Sequence, residues 1–484
     1  MENLKIANMQ AETEEKTTSK PKRKYTRRTT SSKAKATAKA PKPKYEKIFA
    51  LDIGTRSVIG IVADKTPAGL KIIATERMEH KTRAMEDGQI HDVPQVASVI
   101  DTVKKALIKK VGPLKSAAVA AAGRALYTMT ASAEMEFSGI ITPEQERSLD
   151  FAGVQAAQAQ LATSGTVEDL ANYYCVGYST VKYELDGTKL KTLVGQRGRV
   201  ASATVIATFL PRQVIDSMHS ALQSVKLDMH ALTLEPIAAI NVLIPPTMRH
   251  LNLVLVDIGA GTSDVAITRN GSVIAYGMVP QAGDEITDAI SQQYLLDFNV
   301  AEQLKRDATD GLQCHFADIM GLEYDLSATE VLKPVLPNIR KLAESIAQQI
   351  LELNGNEPPQ AIILVGGGSL TPHLSDYVAE IMNLPMGRVA VRHPDKIDGI
   401  VDIPEELRLP DAVTPLGILK IASLNTLHFL RVYVNDTEYS LFNFRDLTVS
   451  DALLNAGIIL KKLNGRPGLG AMLKINGENK FIPG

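Results

Sequence analysis

The stretches Phe49-Ala-Leu-Asp-Ile-Gly-Thr-Arg-Ser-Val-Ile-Gly-Ile-Val62 and Leu253-Val-Leu-Val-Asp-Ile-Gly-Ala-Gly-Thr-Ser-Asp-Val-Ala-Ile267 are two versions of one pattern, roughly 200 residues apart. Each runs an apolar strand into Asp-Ile-Gly, follows it with a Thr, and leaves along an alternating strand. The second continues to Arg269-Asn270-Gly271-Ser272, where Asn-Gly suits a two-residue turn because both positions tolerate positive φ. Asp52 and Asp257 would end their strands as carboxylates suited to a hydrated Mg²⁺. Gly54, Gly259 and Gly261 leave room for backbone N–H groups to approach phosphate oxygens. Thr55, Ser57, Thr262 and Ser263 add hydroxyl donors. Two such loops facing each other would grip a triphosphate from both sides.

One Asp-Ile-Gly alone reads more readily as a tight turn; the pair, at domain-sized separation, favours the clamp. A third element adds to it. Ala361-Ile-Ile-Leu-Val-Gly-Gly-Gly-Ser-Leu-Thr-Pro-His373 is a buried-type strand ending in Gly366, Gly367, Gly368 and Ser369, where backbone can lie against a base or ribose. By itself it is equally a glycine-rich strand-to-helix turn. In this order and spacing the three elements resemble the phosphate, phosphate and adenosine motifs of the actin, sugar-kinase and DnaK-type chaperone superfamily.

At 484 residues the chain has room for two to four domains of about 100–200 residues each. An apolar content of 45% fits a globular protein, and the absence of Trp with 5% aromatics argues against a stacking surface for sugars or bases. Cys175 and Cys314 are far apart and outside any metal-ligand spacing, so reduced thiols are expected. Cys314-His315 reads as incidental. No apolar run reaches the ~18–20 residues of a membrane span, and the N-terminus lacks a signal-type apolar core, which implies a cytoplasmic location.

The net charge of −1 conceals an asymmetry: thirteen Lys/Arg and one acid, Glu46, lie between residues 16 and 47. This Lys/Thr/Ser/Ala/Pro-rich tail cannot bury enough surface to offset ordering entropy, so residues 1–46 are expected to be disordered. It is either a solubilising tail or a tether for anionic lipid, nucleic acid or an acidic protein.

From Tyr45 onward the elements alternate as in an α/β protein. Gly69–Glu76 reads as a strand and Val93–Lys110 as an amphipathic helix. Thr142-Pro143-Glu144-Gln145 reads as a helix start with Thr142 as N-cap. Tyr173–Tyr183 and Ala203–Phe209 read as strands, and Arg212–Val225 and Glu235–Leu243 as helices. Asp284–Asn299, Ala301–Ala308 and Leu336–Asn354 are helical stretches. Leu430–Phe442 alternates as a hairpin around Asn435-Asp436, Leu447–Ile458 reads as a helix, and Met472–Ile482 as a second hairpin through Asn476-Gly477. That order resembles a β-grasp module, incomplete because the chain stops at Gly484.

Several further segments bring the resemblance closer: Glu86-Asp-Gly-Gln-Ile-His-Asp92, Ser116-Ala-Ala-Val-Ala-Ala-Ala-Gly123, Tyr173 to Gly187, and Val194-Gly-Gln-Arg-Gly-Arg-Val200. Met278-Val-Pro-Gln-Ala-Gly-Asp-Glu-Ile-Thr287 and Val300-Ala-Glu-Gln-Leu-Lys305 follow the second hairpin. On these, residues 47–425 resemble FtsA, the actin homologue of bacterial cell division, and its pilus-assembly relative PilM. The resemblance implies a two-lobed actin-like fold, a duplicated ribonuclease H-like core, with ATP and Mg²⁺ as ligands. It divides the chain into a first lobe at 47–111 and 200–250, an inserted neighbour-binding subdomain at 112–199, a second lobe at 251–425 and the β-grasp-like segment at 429–484.

Roles follow residue by residue from the resemblance. Asp52, Gly54, Thr55 and Ser57 match the first phosphate loop, and Gly259, Gly261, Thr262, Asp264 and Asp257 the second. Glu302 and Lys305, i, i+3 on a helix, are implied to contact ribose or adenine; outside that context they read as a surface ion pair. Gly366 to Ser369 match the adenosine loop. Glu235 in Leu234-Glu-Pro-Ile-Ala-Ala239 resembles the chaperone residue that orients attacking water, while a helix N-terminal charge explains it equally well. Arg56 and Gln281 stand where the family has Gly, and the family's terminal amphipathic membrane helix has no counterpart. The implied function is an ATP-binding scaffold or filament subunit in division or envelope assembly, with slow hydrolysis at best. It would self-associate, engage a tubulin-like division protein or other envelope-assembly proteins, and sit peripherally at the inner face of the membrane. A small-molecule kinase, an ATP-driven chaperone or reactivase, and a nucleic-acid segregation protein are the competing readings.

Overall fold

In the computed structural model the described residues are 45–122, 126–164, 173–424, 428–435, 437–443, 449, 453, 471–475 and 477–482. The basic tail therefore lies outside them up to residue 44, as does most of the helix read at Leu447–Ile458.

Strands β1 (Glu46–Ile53), β2 (Ser57–Thr66) and β3 (Gly69–Glu79) form an antiparallel meander. The short hairpin β4 (Met85–Glu86) and β5 (Gln89–Ile90) leads into helix α1 (Val93–Val111), whose N-cap is Asp92. This helix presses Val103 and Leu107 onto β2 where Gly60 leaves space; a Cβ there would meet Leu107 Cδ1 at 2.7 Å. Next come β6 (Ser116–Ala121), β7 (Tyr127–Glu136), helix α2 (Pro143–Thr163), β8 (Tyr173–Leu185), β9 (Thr188–Leu190) and β10 (Val200–Pro211). Thr142 caps α2 as expected: its hydroxyl accepts from Gln145 N–H, and the Gln145 amide oxygen accepts from Thr142 N–H. Helix α3 (Arg212–Ser224), β11 (Asp228–Leu234) and helix α4 (Glu235–Leu243) complete the first half.

The second half repeats the plan. Strands β12 (Leu253–Ile258), β13 (Ser263–Arg269) and β14 (Ser272–Val279) are again an antiparallel meander. The β13–β14 turn has φ of 56° at Asn270 and 93° at Gly271, the paired positive φ that Asn-Gly suits. Helices α5 (Gly283–Tyr294) and α6 (Phe298–Thr309) follow, then β15 (Cys314–Ala317), β16 (Glu323–Leu326), α7 (Ala328–Leu332) and α8 (Leu336–Leu353). The break between α5 and α6 falls at Leu295, held at φ 53°, with Asp297 capping α6. The single helix read from Asp284 to Asn299 is therefore two, because apolar periodicity runs through a left-handed residue that carries no glycine signal. The chain then forms β17 (Ala361–Val365), α9 (Leu374–Ile381), β18 (Val389–Val391), β19 (Ile400–Val401) and α10 (Val413–Ser423).

The strand order is β11-β6-β1-β2-β3-β19 in one sheet and β14-β13-β12-β17-β18 in another. In each, a three-stranded meander is extended by two parallel strands, so β1, β2, β3, β6 and β11 have counterparts in β12, β13, β14, β17 and β18. This is the duplicated two-lobed α/β architecture. Helices α4 and α10 pack against each other, and their buried side chains share one apolar core with residues of both sheets. Outer cores lie on α1 and α3 in the first lobe and on α5, α6 and α8 in the second.

Domain bounds read from the sequence shift in three places. Strand β6 pairs with β1 and β11, so residues 116–121 run inside the first sheet. The third main sheet, β7-β10-β8-β9, with α2 across it and its own core, instead spans residues 127–211. Strand β19 pairs with β3 and thus joins the first sheet, although it lies within the expected second-lobe segment. Strands β20 (His428–Val434) and β21 (Thr437–Asn443) pair as one hairpin, and β22 (Ala471–Ile475) and β23 (Glu478–Ile482) as another. Among the described residues each hairpin is its own two-stranded ladder.

Candidate functional site

The two Asp-Ile-Gly turns fold alike. Gly54 N–H donates to the Ser57 carbonyl at 3.0 Å, and Gly259 N–H to the Thr262 carbonyl at 2.9 Å. The strand registers, Ile53 opposite Val58 and Ile258 opposite Ser263, make Ser57 the counterpart of Thr262 and Arg56 that of Gly261. Arg56 therefore leaves the turn intact. His80 braces this first turn: its N–H donates to the Arg56 carbonyl at 3.0 Å, and its ring Nε2 lies 3.2 Å from the Gly54 carbonyl. Burial lowers the imidazole's pKa, which favours the neutral ring. Gln281, the other departure, turns its side chain to accept from Ser345 Oγ at 2.8 Å.

Both turns open on a cleft of about 580 Å³ between the lobes, within the range of roughly 300–1,000 Å³ usual for ligand sites. Of the residues singled out from the sequence, Asp52, Gly54, Thr55, Ser57, Glu235, Asp257, Gly259, Thr262, Glu302, Lys305 and Gly366 to Gly368 line it. Four others sit behind its wall. Gly261 faces the opposite lobe, where a Cβ would lie 3.0 Å from Asp87 N and 3.3 Å from Thr55 Oγ1. Ser263 Oγ donates to the Gln281 carbonyl at 2.7 Å, and Ser369 Oγ to the Gly366 carbonyl at 2.7 Å. Asp264 is buried, accepting from Thr262 Oγ1 at 3.2 Å through one carboxylate oxygen while the other has no partner.

The third glycine run has a packing reason beyond its expected role. A Cβ on Gly366, at φ 80°, would lie 2.3 Å from the Ile258 carbonyl oxygen and 2.4 Å from Asp257 Oδ1. One on Gly368 would lie 2.7 Å from the Gly259 carbonyl oxygen. This loop is pressed onto the second turn, so backbone is what both present to the cleft.

The floor is acidic. Burial first, then the charges of Asp257 and Asp411, push the Asp52 carboxyl up to about 7. Asp264 is pushed up to about 7 by burial and by Asp257. Asp257, which accepts a hydrogen bond from Thr414 Oγ1, is raised to about 6 by burial with Asp411 adding to it. Glu235, the first residue of α4, is raised well above its usual value by burial and by Asp264, Asp52 and Asp257. Desolvated carboxylates crowded in this way are a sink for positive charge. With Asp264's unpartnered oxygen they fit a Mg²⁺ ion. Among the described residues no group of three or more His, Cys, Asp or Glu is arranged to ligate a metal directly, so Asp52 and Asp257 would engage the ion's waters.

The rim carries the cations. Lys305 Nζ donates to the Gly283 carbonyl at 2.9 Å and to Thr287 Oγ1 at 2.7 Å, and pairs with Glu302 at 2.7 Å. Burial alone would raise Glu302, but Lys305, Thr287 and Arg306 outweigh it and hold the carboxyl at about 2. The pair is thus largely buried in the cleft wall, not the surface ion pair it reads as outside the context of the resemblance. Sequence reasoning missed Glu79, Arg77, Arg306, Asp411 and Thr414, all of which line the cleft. Arg77 pairs with Asp411, and neither stands in a recognisable motif. Only the chain's path brings them to the site.

The family profile described as "Cell division protein FtsA" matches residues 254–417, the segment holding the second turn, the Glu302–Lys305 pair and the glycine-rich loop. Curated relatives match far more of the chain. The cell division protein FtsA of Pseudomonas aeruginosa is 23% identical over 81% of this chain and 93% of its own length. That of Bacillus subtilis is 20% identical over 78% and 84%. Among solved structures, the "PilM-PilN type IV pilus biogenesis complex" superposes with a TM-score of 0.57 at 14% identity, covering 78% of this chain and 98% of the other. Among the described residues no helix is long and apolar enough to cross a membrane. Duplicated turns facing one cleft go with an actin-type two-lobed fold, and along most of its length this chain is similar to FtsA.

Proposed function

We propose that this chain binds Mg-ATP between its lobes and acts as a nucleotide-gated scaffold or filament subunit in bacterial division or envelope assembly. The observation that carries the reading is the composition of the cleft: one phosphate-type turn from each lobe, with the glycine-rich loop and the Glu302–Lys305 pair beside them. The backbone N–H groups and hydroxyls of Thr55, Ser57 and Thr262 would hold the phosphates, with Gly54 and Gly259 leaving room for their approach. Gly366 to Gly368 and Glu302–Lys305 would hold the nucleoside. When bound, Mg²⁺ supplies charge neutralisation for the polyphosphate beside Asp52 and Asp257. Glu235, whose carboxyl burial and then its acidic neighbours hold well above its ordinary value, would orient a water beside the phosphates.

Because each turn belongs to a different lobe, a ligand contacting both favours the closed arrangement. Relatives named for cell division that match over most of their length support the scaffold over a metabolic kinase. A tubulin-like division protein or another envelope-assembly protein is the partner class we assign, alongside other copies of this chain. The basic tail would add anionic lipid or nucleic acid.

Nucleotide titration, co-sedimentation and steady-state ATPase on the full chain test this together. The scaffold predicts Mg-dependent ATP binding, ATP-dependent pelleting alone or with a partner, and turnover indifferent to small-molecule acceptors. Acceptor-stimulated turnover without assembly would make it a kinase.

A further inference from the structure

Five charged residues on the cleft rim form one continuous ladder between the lobes. Arg56 Nε, on the first phosphate-type turn, lies 3.3 Å from Glu79 Oε2 at the end of β3. The other oxygen of Glu79 accepts from Arg306 Nη1 at 2.8 Å, across the cleft on α6. Arg306 Nε in turn donates to Glu302 Oε1 at 3.0 Å, and Glu302 Oε2 pairs with Lys305 at 2.7 Å. All five line the cleft. The ladder thus starts on one proposed ligand surface, crosses between lobes once, at Glu79–Arg306, and ends on another.

We propose that Glu79 and Arg306 form a latch that holds the lobes closed, set by the ligand through Arg56 and through Glu302–Lys305. Its ligand class rests on the nucleotide reading above. Glu79 is shared unequally. Its bond to Arg306 is well formed, whereas Arg56 Nε is buried beside it without hydrogen-bond alignment. A polyphosphate between the two turns offers Arg56 a stronger, bidentate anion. With Arg56 drawn to it, Glu79 serves Arg306 alone and the interlobe rung tightens. Loss of the polyphosphate returns Arg56 to Glu79 and weakens the rung. A nucleoside ordering Glu302 and Lys305 fixes Arg306 from the other side. Beside this rung, Arg83 stacks 4.6 Å from the Phe298 ring centroid and lies 3.8 Å from Asp288, so the lobes keep a second, ligand-independent link.

The test uses the full chain with spin labels at Lys109→Cys on α1 and Gln292→Cys on α5, both exposed, and a non-hydrolysable ATP analogue with Mg²⁺. In the parent, the analogue should narrow and shorten the interlobe distance distribution. Glu79→Ala and Arg306→Ala should each broaden it and speed analogue dissociation at least fivefold. The double variant should dissociate no faster than the faster single one, because the two residues act as one unit. Arg56→Ala should narrow the ligand-free distribution toward that of the bound parent, because Glu79 then serves Arg306 alone, and the analogue should narrow it little further. Unchanged distances in Glu79→Ala, or additive dissociation rates, overturn the latch. If the parent binds no analogue, the nucleotide reading fails, while the ligand-free distances of parent and variants still decide the latch. Glu79→Gln replaces Glu79→Ala if the latter does not fold.

Discussion

Gly417 of α10 lies directly against the backbone of Ala238 in α4: a Cβ on it would fall 2.2 Å from the Ala238 carbonyl oxygen. The two helices that join the lobes therefore touch backbone to backbone. Gly417→Ala should cost about 1–3 kcal/mol by overpacking, or more, since a carbonyl cannot rotate aside as a side chain can. Urea unfolding of parent and variant checks this, and an unchanged midpoint would place the helices farther apart.

Asp257→Ala should abolish Mg-dependent nucleotide affinity with modest loss of fold. The carboxylate ends a strand whose inward neighbours, Val256 and Ile258, supply the packing. Undiminished affinity by titration in a folded variant would remove Asp257 from the site.

Glu235→Ala separates the two roles open to that residue. As a water-positioning group its loss leaves ATP binding intact and slows turnover at least tenfold, about 1.4 kcal/mol in the barrier. As a helix-terminal charge its loss lowers stability and leaves turnover per folded molecule unchanged. Single-turnover hydrolysis set beside thermal unfolding distinguishes them.

The acidic floor gives ligand-free stability a definite pH dependence. Asp52 and Asp264 at about 7 and Asp257 at about 6 lie above the ordinary 3.8 of the unfolded chain. The folded state then binds more protons than the unfolded one between about pH 4 and 7. Their contribution is fully present below pH 3.8 and is lost as pH rises through about 6–7. Glu302, held at about 2, works in the opposite sense and only below about pH 4.5. Unfolding midpoints should fall between pH 5 and 8. Asp264→Asn should flatten the slope, and Mg-nucleotide should reverse it; a flat profile in the parent contradicts the crowding.

Removing residues 112–199, the segment that the resemblance marks as an inserted subdomain, should prevent folding. Ala118 and Val119 of β6 pair with Ala50 and Leu51, one turn from the first phosphate-type loop. Even a cut at 127–211 takes Tyr174, Val176 and Leu210 out of the first lobe's core. Circular dichroism and gel filtration of both deletions check this. A folded, nucleotide-binding chain without 112–199 would contradict the pairing.

What could be read from the residues was local. Asp-Ile-Gly turns, the Asn270-Gly271 turn, the Thr142 cap and the helix at Val93 each carry their signal within a few positions, and each forms where read. The insertion's edges failed because Ser116-Ala-Ala-Val-Ala-Ala121 looks the same whether it pairs with β1 or with β7; strand partners have no local signature. Glu79, Arg306 and Asp411 were invisible for a related reason. A lone charge at a strand or helix end reads as solvated surface until the fold brings its partner from another lobe.

Strand β19 pairs Ile400 and Val401 with Leu70 and Lys71, and α10 reaches the first lobe's core only when residue 423 exists. During synthesis, then, the first lobe emerges early but waits for the last part of the second to close its sheet edge and cover its inner face. Its half-finished core stays exposed for most of translation, at the stage when such surfaces aggregate. Pairings this distant in sequence also make the final docking slow.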